Sequence, residues 1–358
     1  MTLVLSNDQV AQLLDIKDVI HTLEEGYRQA AAGQAILGSR ADLNTITSRP
    51  ESVYQLKSMS SVVPSLGVGA VRINSDILSY PTVEGKVRRQ KVPLAPGNRW
   101  TGLVLLFSTE TGEPLMIFPD GVMQRLRVAG TSALGAKYMA RSNADTVALI
   151  GSGWQAGGQV IAISAIKNIK KFRVYSMTFQ NCKVFCETMS PEIEVDMEPF
   201  GNVGDAVSRS DIVLCATNSN ENVLLNDHVE PGMHISSIRD NEIALAAIRN
   251  ANVTAMHDTK SMDFSNYEST HGLVIKDQEK EAGNDPRMNY LRSVSTLPDL
   301  ITKKACGRVS DEQVTCFLNY RGLALQFAVC GALLYKRAKE RKIGNALPTE
   351  WFTEDVLS

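Results

Sequence analysis

Cysteine is scarce in this chain, and none of its six cysteines belongs to a C-x-x-C pair. Cys182, Cys186, Cys215, Cys306, Cys316 and Cys330 lie apart in the second half, which excludes a disulfide framework and points to a reducing cytoplasm. Metal-ligand spacing is missing too. His21, His228, His234, His257 and His271 make no H-E-x-x-H and the cysteines do not cluster, so no metal is expected. There is no G-x-S-x-G nucleophile elbow and no internal repeat. Neither sign of charge dominates: 37 basic against 39 acidic residues leave −2, which argues against a nucleic acid or a membrane surface as partner. The basic runs 86–91, 167–171 and 336–342 read as solvated faces. The longest apolar run, Gly322 to Tyr335, is broken by Gln326 and falls short of the ~20 residues a membrane span needs. Met1 to Leu5 lacks the basic start of a signal peptide.

What is present suits a globular protein of two domains: 358 residues, 44% of them hydrophobic, with 25 glycines and 13 prolines. Ser6 caps a predicted helix over 6–33, where Val10, Leu13, Leu14, Ile20, Leu23 and Tyr27 recur at helical spacing. From 36 to 120 short apolar runs alternate with Gly and Pro, and LVLLFSTETGEPLMIF reads as a hairpin turning at Thr111-Gly112. Residues 122–140 return to helix. From Asp145 strands alternate with helices, at 146–150, 172–176, 193–197, 211–216, 233–238 and 252–256, and 310–343 reads as helical again. The expected class is α/β: a Rossmann doubly wound parallel sheet plus an α+β substrate and dimerisation domain, completed by a C-terminal helical return. The boundaries fall at 1–125, 140–305 and 306–358.

The strongest motif is VALIGSGWQAGGQVIAI, a strand, then G-x-G-x-x-A, then a helix. Gly151 permits the tight turn, Gly153 lets backbone approach a pyrophosphate, and Ala156 lets helix pack on strand. With Ser152, Trp154 and Gln155 they form the expected dinucleotide loop, whose helix N-terminus offers N–H donors to phosphate. The second strand ends at Ser176 instead of the usual ribose-binding acid, and Ser176 and Thr178 tilt the expectation slightly from NAD to NADP. Ala216, Thr217 and Asn218 end a later strand on the expected nicotinamide side. Before the nucleotide motif, Arg40, Lys57, Arg72 and Arg127 supply cations for an anionic substrate, since a guanidinium recognises a carboxylate with two parallel bonds.

In order along nearly the whole chain, TGLVLLFSTETGEPLMIFPDGVMQRLRVAGTSALGAKYMAR, VALIGSGWQA, DIVLCATNS and GRVSDEQVTCFLNYRGLALQFAVCGALLYKRAKERKIGNALP resemble the ornithine cyclodeaminase/mu-crystallin family. The resemblance implies NAD(P)-dependent chemistry on small amino, imino or oxo acids. It sets Arg40, in GSRADLNT, and Arg127, in RLRVAGTSA, on the family's substrate-carboxylate arginines. Two positions depart from it. Arg72, in VGAVRINSDI, stands where the family has a catalytic lysine, with Lys57 of YQLKSM in neighbouring space. The acidic loop after GMHISSI is shortened to RDNEI, leaving Asp240 as an approximate counterpart. The activity expected is therefore reduction of a C=N bond next to a carboxylate by NADPH or NADH, with Lys57, Arg72 and Asp240 as catalytic candidates. Ornithine cyclodeamination with internally recycled NAD is the alternative, and a mu-crystallin-like protein that binds cofactor and small ligand without turnover is the alternative of another class. A homodimer is expected because Phe317 to Tyr335 is apolar nearly all round.

Overall fold

The structure is a computed structural model that describes residues 1–49, 52–83, 86–87, 89–262, 264–269 and 286–354, with backbone alone for 82–83, 86–87, 262 and 264–269. Arg88 of the basic run 86–91 and His271 lie outside the described residues.

Two large sheets organise the chain. The first runs, edge to edge, Phe264–Ser269, Arg40–Ile46, Ser52–Val63, Val68–Ser79, Thr101–Ser108, Pro114–Pro119, Thr2–Val4 and Asn345–Leu347. Its centre is antiparallel, with Arg72 opposite Met59 and Val104, and the hairpin between Thr101–Ser108 and Pro114–Pro119 forms as read, with Gly112 at φ 75° in the turn. The second sheet is parallel throughout, in the order Asp196–Phe200, Lys171–Tyr175, Thr146–Ile150, Ile212–Cys215, His234–Ser237, Thr315–Leu318, Val253–Met256, Ser295–Thr296. Its first five strands follow the 3-2-1-4-5 order of a Rossmann sheet, which opens a crevice beside Thr146–Ile150 at the strands' carboxyl ends.

Three segments differ from their sequence reading. Residues 6–33 are two helices, Asn7–Leu13 and Ile16–Ala31, because Asp15 leaves the helix and caps the second with its carboxylate on the Lys17 N–H. The helix Phe179–Ile193 carries Pro191 in its last turn and delays the next strand to Asp196–Phe200. Within 310–343 only Ala324–Arg341 is helix, while Thr315–Leu318 is a strand buried between His234–Ser237 and Val253–Met256. So short a buried run cannot be assigned by periodicity alone. The chain thus crosses between the sheets: Phe264–Ser269 pairs with Arg40–Ile46 in the first, and Thr315–Leu318 joins the second.

The helix Ala324–Arg341 lies under the first sheet in its own chain, where Gly331 passes Leu106 and Phe118, and Val329 fills the gap left by Gly26. Most of its apolar circumference is covered within the monomer, with Ala332, Leu333 and Tyr335 partly buried, so its apolar character is largely accounted for without a partner.

The helix Gly121–Met139 stands between the two halves, with Arg127 to Ala136 all buried. Gly130 admits Leu23, Gly135 admits the Phe317 ring, and Ala129 packs on Gly158 of the helix Trp154–Ile166. A methyl at residue 135 would overlap that ring. Gly135→Ala gains about 1 kcal/mol of helix propensity but overpacks a closed contact, at about 3 kcal/mol. Urea unfolding should show a net loss of about 2 kcal/mol; a gain would mean that helix and strand are not in contact.

Candidate active site and relatives

The inner face of the first sheet carries the site. On Val68–Ser79 burial alternates strictly, and the inward positions are Val68, Ala70, Arg72, Asn74, Asp76 and Leu78. Apolar residues close both ends while the middle three are polar. Neighbouring strands continue this band with Gln55 and Lys57, then Asp42 and Asn44, all buried.

Charges in the band are paired unequally. Arg72 donates from Nε to Asp120 at 2.8 Å, and Asn74 donates to the same carboxylate oxygen at 3.2 Å. Gly102 makes this possible, because any Cβ there would occupy the place of the Asp120 carboxylate and the Asn74 amide. Arg40 grips Asp42 with Nε and Nη2, both at 2.6 Å, and reaches the Arg321 carbonyl with Nη1 at 3.3 Å. Asp76 is held by Lys91 at 2.9 Å, leaving Lys57 4.0 Å from it. Burial, followed by Arg89 and Arg40, drives the Lys57 ammonium well below the usual lysine range, against the pull of Asp42 and Asp76.

Arg127 is 5% exposed and its only hydrogen-bond partner among the described residues is a neutral amide, Gln326 Oε1, at 2.8 Å from Nη1. Gln326 also donates to Tyr27 Oη at 2.8 Å and Thr131 Oγ1 at 2.9 Å, which fixes the amide and hence the guanidinium. Arg127 and Arg72 flank the Phe327 ring, 5.0 and 5.3 Å from its centroid. Burial and then Arg72 lower the Arg127 pKa to about 9. Gly322, at φ 64°, clears the space this guanidinium fills. Sequence reading missed Gln326 in this role; its one signal was a lone amide inside an apolar run.

On the second sheet the glycine loop expected to hold a dinucleotide turns directly from the strand Thr146–Ile150 into the helix Trp154–Ile166. Gly151 has φ 120° and its missing Cβ would overlap the Ala216 carbonyl, whereas Gly153 faces open space. The helix Trp154–Ile166 has neither a side-chain cap on its N–H groups nor an acid in its first turn, so these residues fit a phosphate-bearing cofactor. Ser152 and Ser176 join their hydroxyls at 2.9 Å, and Thr178 precedes the helix Phe179–Ile193. Gln155 begins the helix beside Trp154. Asn218 follows Thr217, whose hydroxyl gives its proton to Glu242 at 2.9 Å. Glu242 is wholly buried and also accepts the Ile238 and Arg239 N–H groups at 3.0 Å, so it pins the carboxyl ends of two strands; burial raises its pKa against those bonds. Glu242, not Asp240, is thus the enclosed acid of RDNEI, while Asp240 pairs with Arg321 at 2.7 Å. Among the described residues no group of three or more His, Cys, Asp or Glu could hold a metal, and no helix is long and apolar enough to cross a membrane.

The family model "Ornithine cyclodeaminase/mu-crystallin family" matches residues 1–342. The chain belongs to this family. A Delta(1)-pyrroline-2-carboxylate reductase of Bacillus cereus is 25% identical over 352 residues, covering 96% of this chain and 99% of its own. The solved structure of Thermococcus litoralis Delta(1)-pyrroline-2-carboxylate reductase, in complex with NADH and L-proline, superposes with a TM-score of 0.77 at 23% identity, over 97% of this chain and 100% of that one. An archaeal alanine dehydrogenase dimer with bound NAD gives 0.74 at 21% identity, over 97% and 99%.

The two loop glycines should separate experimentally. Gly151→Ala forces a side chain into a left-handed, closed position and should lower the melting temperature by several degrees. Gly153→Val should melt near wild type yet bind NADH about a hundredfold more weakly in fluorescence titration. Equal binding would reassign the loop.

Proposed function

We propose that the protein reduces the C=N bond of a small imino acid whose neighbouring carbon bears a carboxylate, using NADPH or NADH. The observation that carries this reading is Arg127, a buried guanidinium that forms no ion pair with a carboxylate among the described residues and is held in place by an amide. Such a cation is costly to bury alone, and a substrate carboxylate completes it. Arg40 enters already neutralised by Asp42 and helps to position the same group.

Bound nicotinamide supplies the hydride to the imine carbon. Arg127 orients that carbon through the carboxylate, and Lys57 is the proton donor to nitrogen, its ammonium made labile by burial. Arg72 stays charged on Asp120 and acts as fixed potential, since a guanidinium does not serve as a base. Cyclodeamination must move protons repeatedly on one molecule, and an arginine in place of the family lysine disfavours it. The neutral strand end at Ser176 and Thr178 leaves NADPH slightly favoured, because no carboxylate repels a 2′-phosphate.

Stoichiometric NAD(P)H oxidation is expected with cyclic imines or 2-oxo acids plus amines, and negligible ammonia from ornithine with catalytic NAD. Proline formed from ornithine without net cofactor turnover would reverse this; cofactor binding with no oxidation across the panel would favour the binding protein. Arg127→Ala should lower kcat/KM about thirtyfold or more with cofactor affinity nearly intact. For Lys57 the acid form is required, so kcat/KM should fall as pH rises through its depressed pKa. Lys57→Met should lose that alkaline limb; an unchanged profile would remove Lys57 from proton transfer.

The chain works, in this reading, as a homodimer joined through the outer face of the first sheet. There Leu43, Leu56, Ile73, Ile77, Leu103 and Leu105 point away from the site, and Leu43 and Leu103 are 45% and 39% exposed. A largely apolar face of this kind, broken by Ser58 and Ser75, suits a protein contact. Light scattering at micromolar concentration should give a dimer mass, and Ile73→Asp with Leu103→Asp should halve it. A monomeric wild type would refute the assignment.

A further inference from the structure

We propose that Arg125 is the cation that completes the phosphate-binding end of the nucleotide helix, and that Gly157 and Gly158 form a slot to admit it. The inference rests on the dinucleotide reading of the loop at 151–156 and names a residue outside that loop. Arg125 comes from the helix Gly121–Met139, two residues before Arg127. Its guanidinium stacks 4.2 Å from the centroid of Trp154, the first residue of the helix Trp154–Ile166. A Cβ on Gly157 would overlap its Nη2, and one on Gly158 would stand 2.8 Å from its Cγ. The guanidinium therefore lies along the first turn of that helix.

Electrostatics make the placement unfavourable in the empty protein. The helix N-terminus carries the positive end of the backbone dipole, where a further cation is repelled. Among the described residues no carboxylate forms an ion pair with Arg125, and its Nε is buried without a hydrogen-bond partner. Burial lowers its pKa, and Glu192 offsets this only at longer range. Stacking on Trp154 holds the guanidinium beside the first turn of the helix without neutralising it. A pyrophosphate brought to Gly153 satisfies both the helix end and the guanidinium. Helix Gly121–Met139 then presents one arginine to each ligand, Arg125 to the phosphates and Arg127 to the substrate carboxylate.

The test uses full-length protein, with ADP-ribose and NADH as probes and adenosine as the phosphate-free control, followed by calorimetry and tryptophan emission. Arg125→Met should weaken ADP-ribose and NADH about tenfold or more, leave adenosine unchanged, and keep or raise the melting temperature, because an uncompensated cation is removed. Arg125→Lys should stay within about threefold of wild type. A purely structural arginine predicts the opposite, a lower melting temperature with unchanged ADP-ribose affinity, and that result overturns the proposal. So does an equal loss for adenosine. Wild-type protein that binds neither ADP-ribose nor NADH would instead bring down the dinucleotide reading, and this inference with it.

Discussion

A charge cannot be buried alone, and much of this structure is arranged around that constraint. The inner face of the first sheet would ordinarily be apolar. Here it holds Asp42, Lys57, Arg72 and Asp76 between ends closed by Val68 and Leu78. Each carboxylate takes one close cation: Asp42 takes Arg40, Asp120 takes Arg72, and Asp76 takes Lys91. Among the described residues Arg127 and Lys57 have no carboxylate so close. In water an anion about 4 Å from a cation gains roughly 1 kcal/mol, against about 4 at the effective dielectric of a protein site. The enclosure that makes these two cations costly is what makes them selective.

Holding such groups requires neutral scaffolding as well as counter-charge. Gln326 bonds Arg127, Tyr27 and Thr131 at once, and leaves the arginine's charge intact where a carboxylate would cancel it. Glu242 plays the complementary part on the second sheet, accepting hydrogen bonds from Thr217, Ile238 and Arg239. Both networks fix their side chains through several bonds at once, while Arg127 Nε stays without a hydrogen-bond partner among the described residues. Glycine supplies the remaining freedom: Gly102 for Asp120, and Gly322 for Arg127.

How much of this was legible in the sequence depends on the distance over which each feature is made. The dinucleotide loop is local, so Gly151, Gly153 and Ala156 could be read directly with their strand and helix. The hairpin at Gly112 was legible for the same reason. Arg40, Lys57, Arg72 and Arg127 were identifiable as cations, but not their partners, since pairing of Arg72 with Asp120 spans 48 positions and that of Arg127 with Gln326 spans 199. Strand Thr315–Leu318 was hidden because so short a buried run fits helix or strand equally. Asp240 was read as the counterpart of the family's acid in this loop; that Glu242, two positions on, is the buried acid depends on packing that the sequence does not display. Sequence period reports which way a side chain points; it says little about what stands opposite.

The division between arginine and lysine in the band bears on chemistry. Two adjacent guanidiniums on the Phe327 ring, one paired and one not, make a potential that does not titrate in the working range. Lysine is different, because its proton becomes available once burial lowers its pKa. A site with one adaptable proton and several fixed charges suits a reaction with a single proton step beside a hydride step. It suits poorly a sequence in which ammonia leaves and the same hydride returns. In the proposed reading, an arginine at position 72 does more than exchange one cation for another: it makes the position a permanent charge, anchored on Asp120, and leaves the proton step to Lys57.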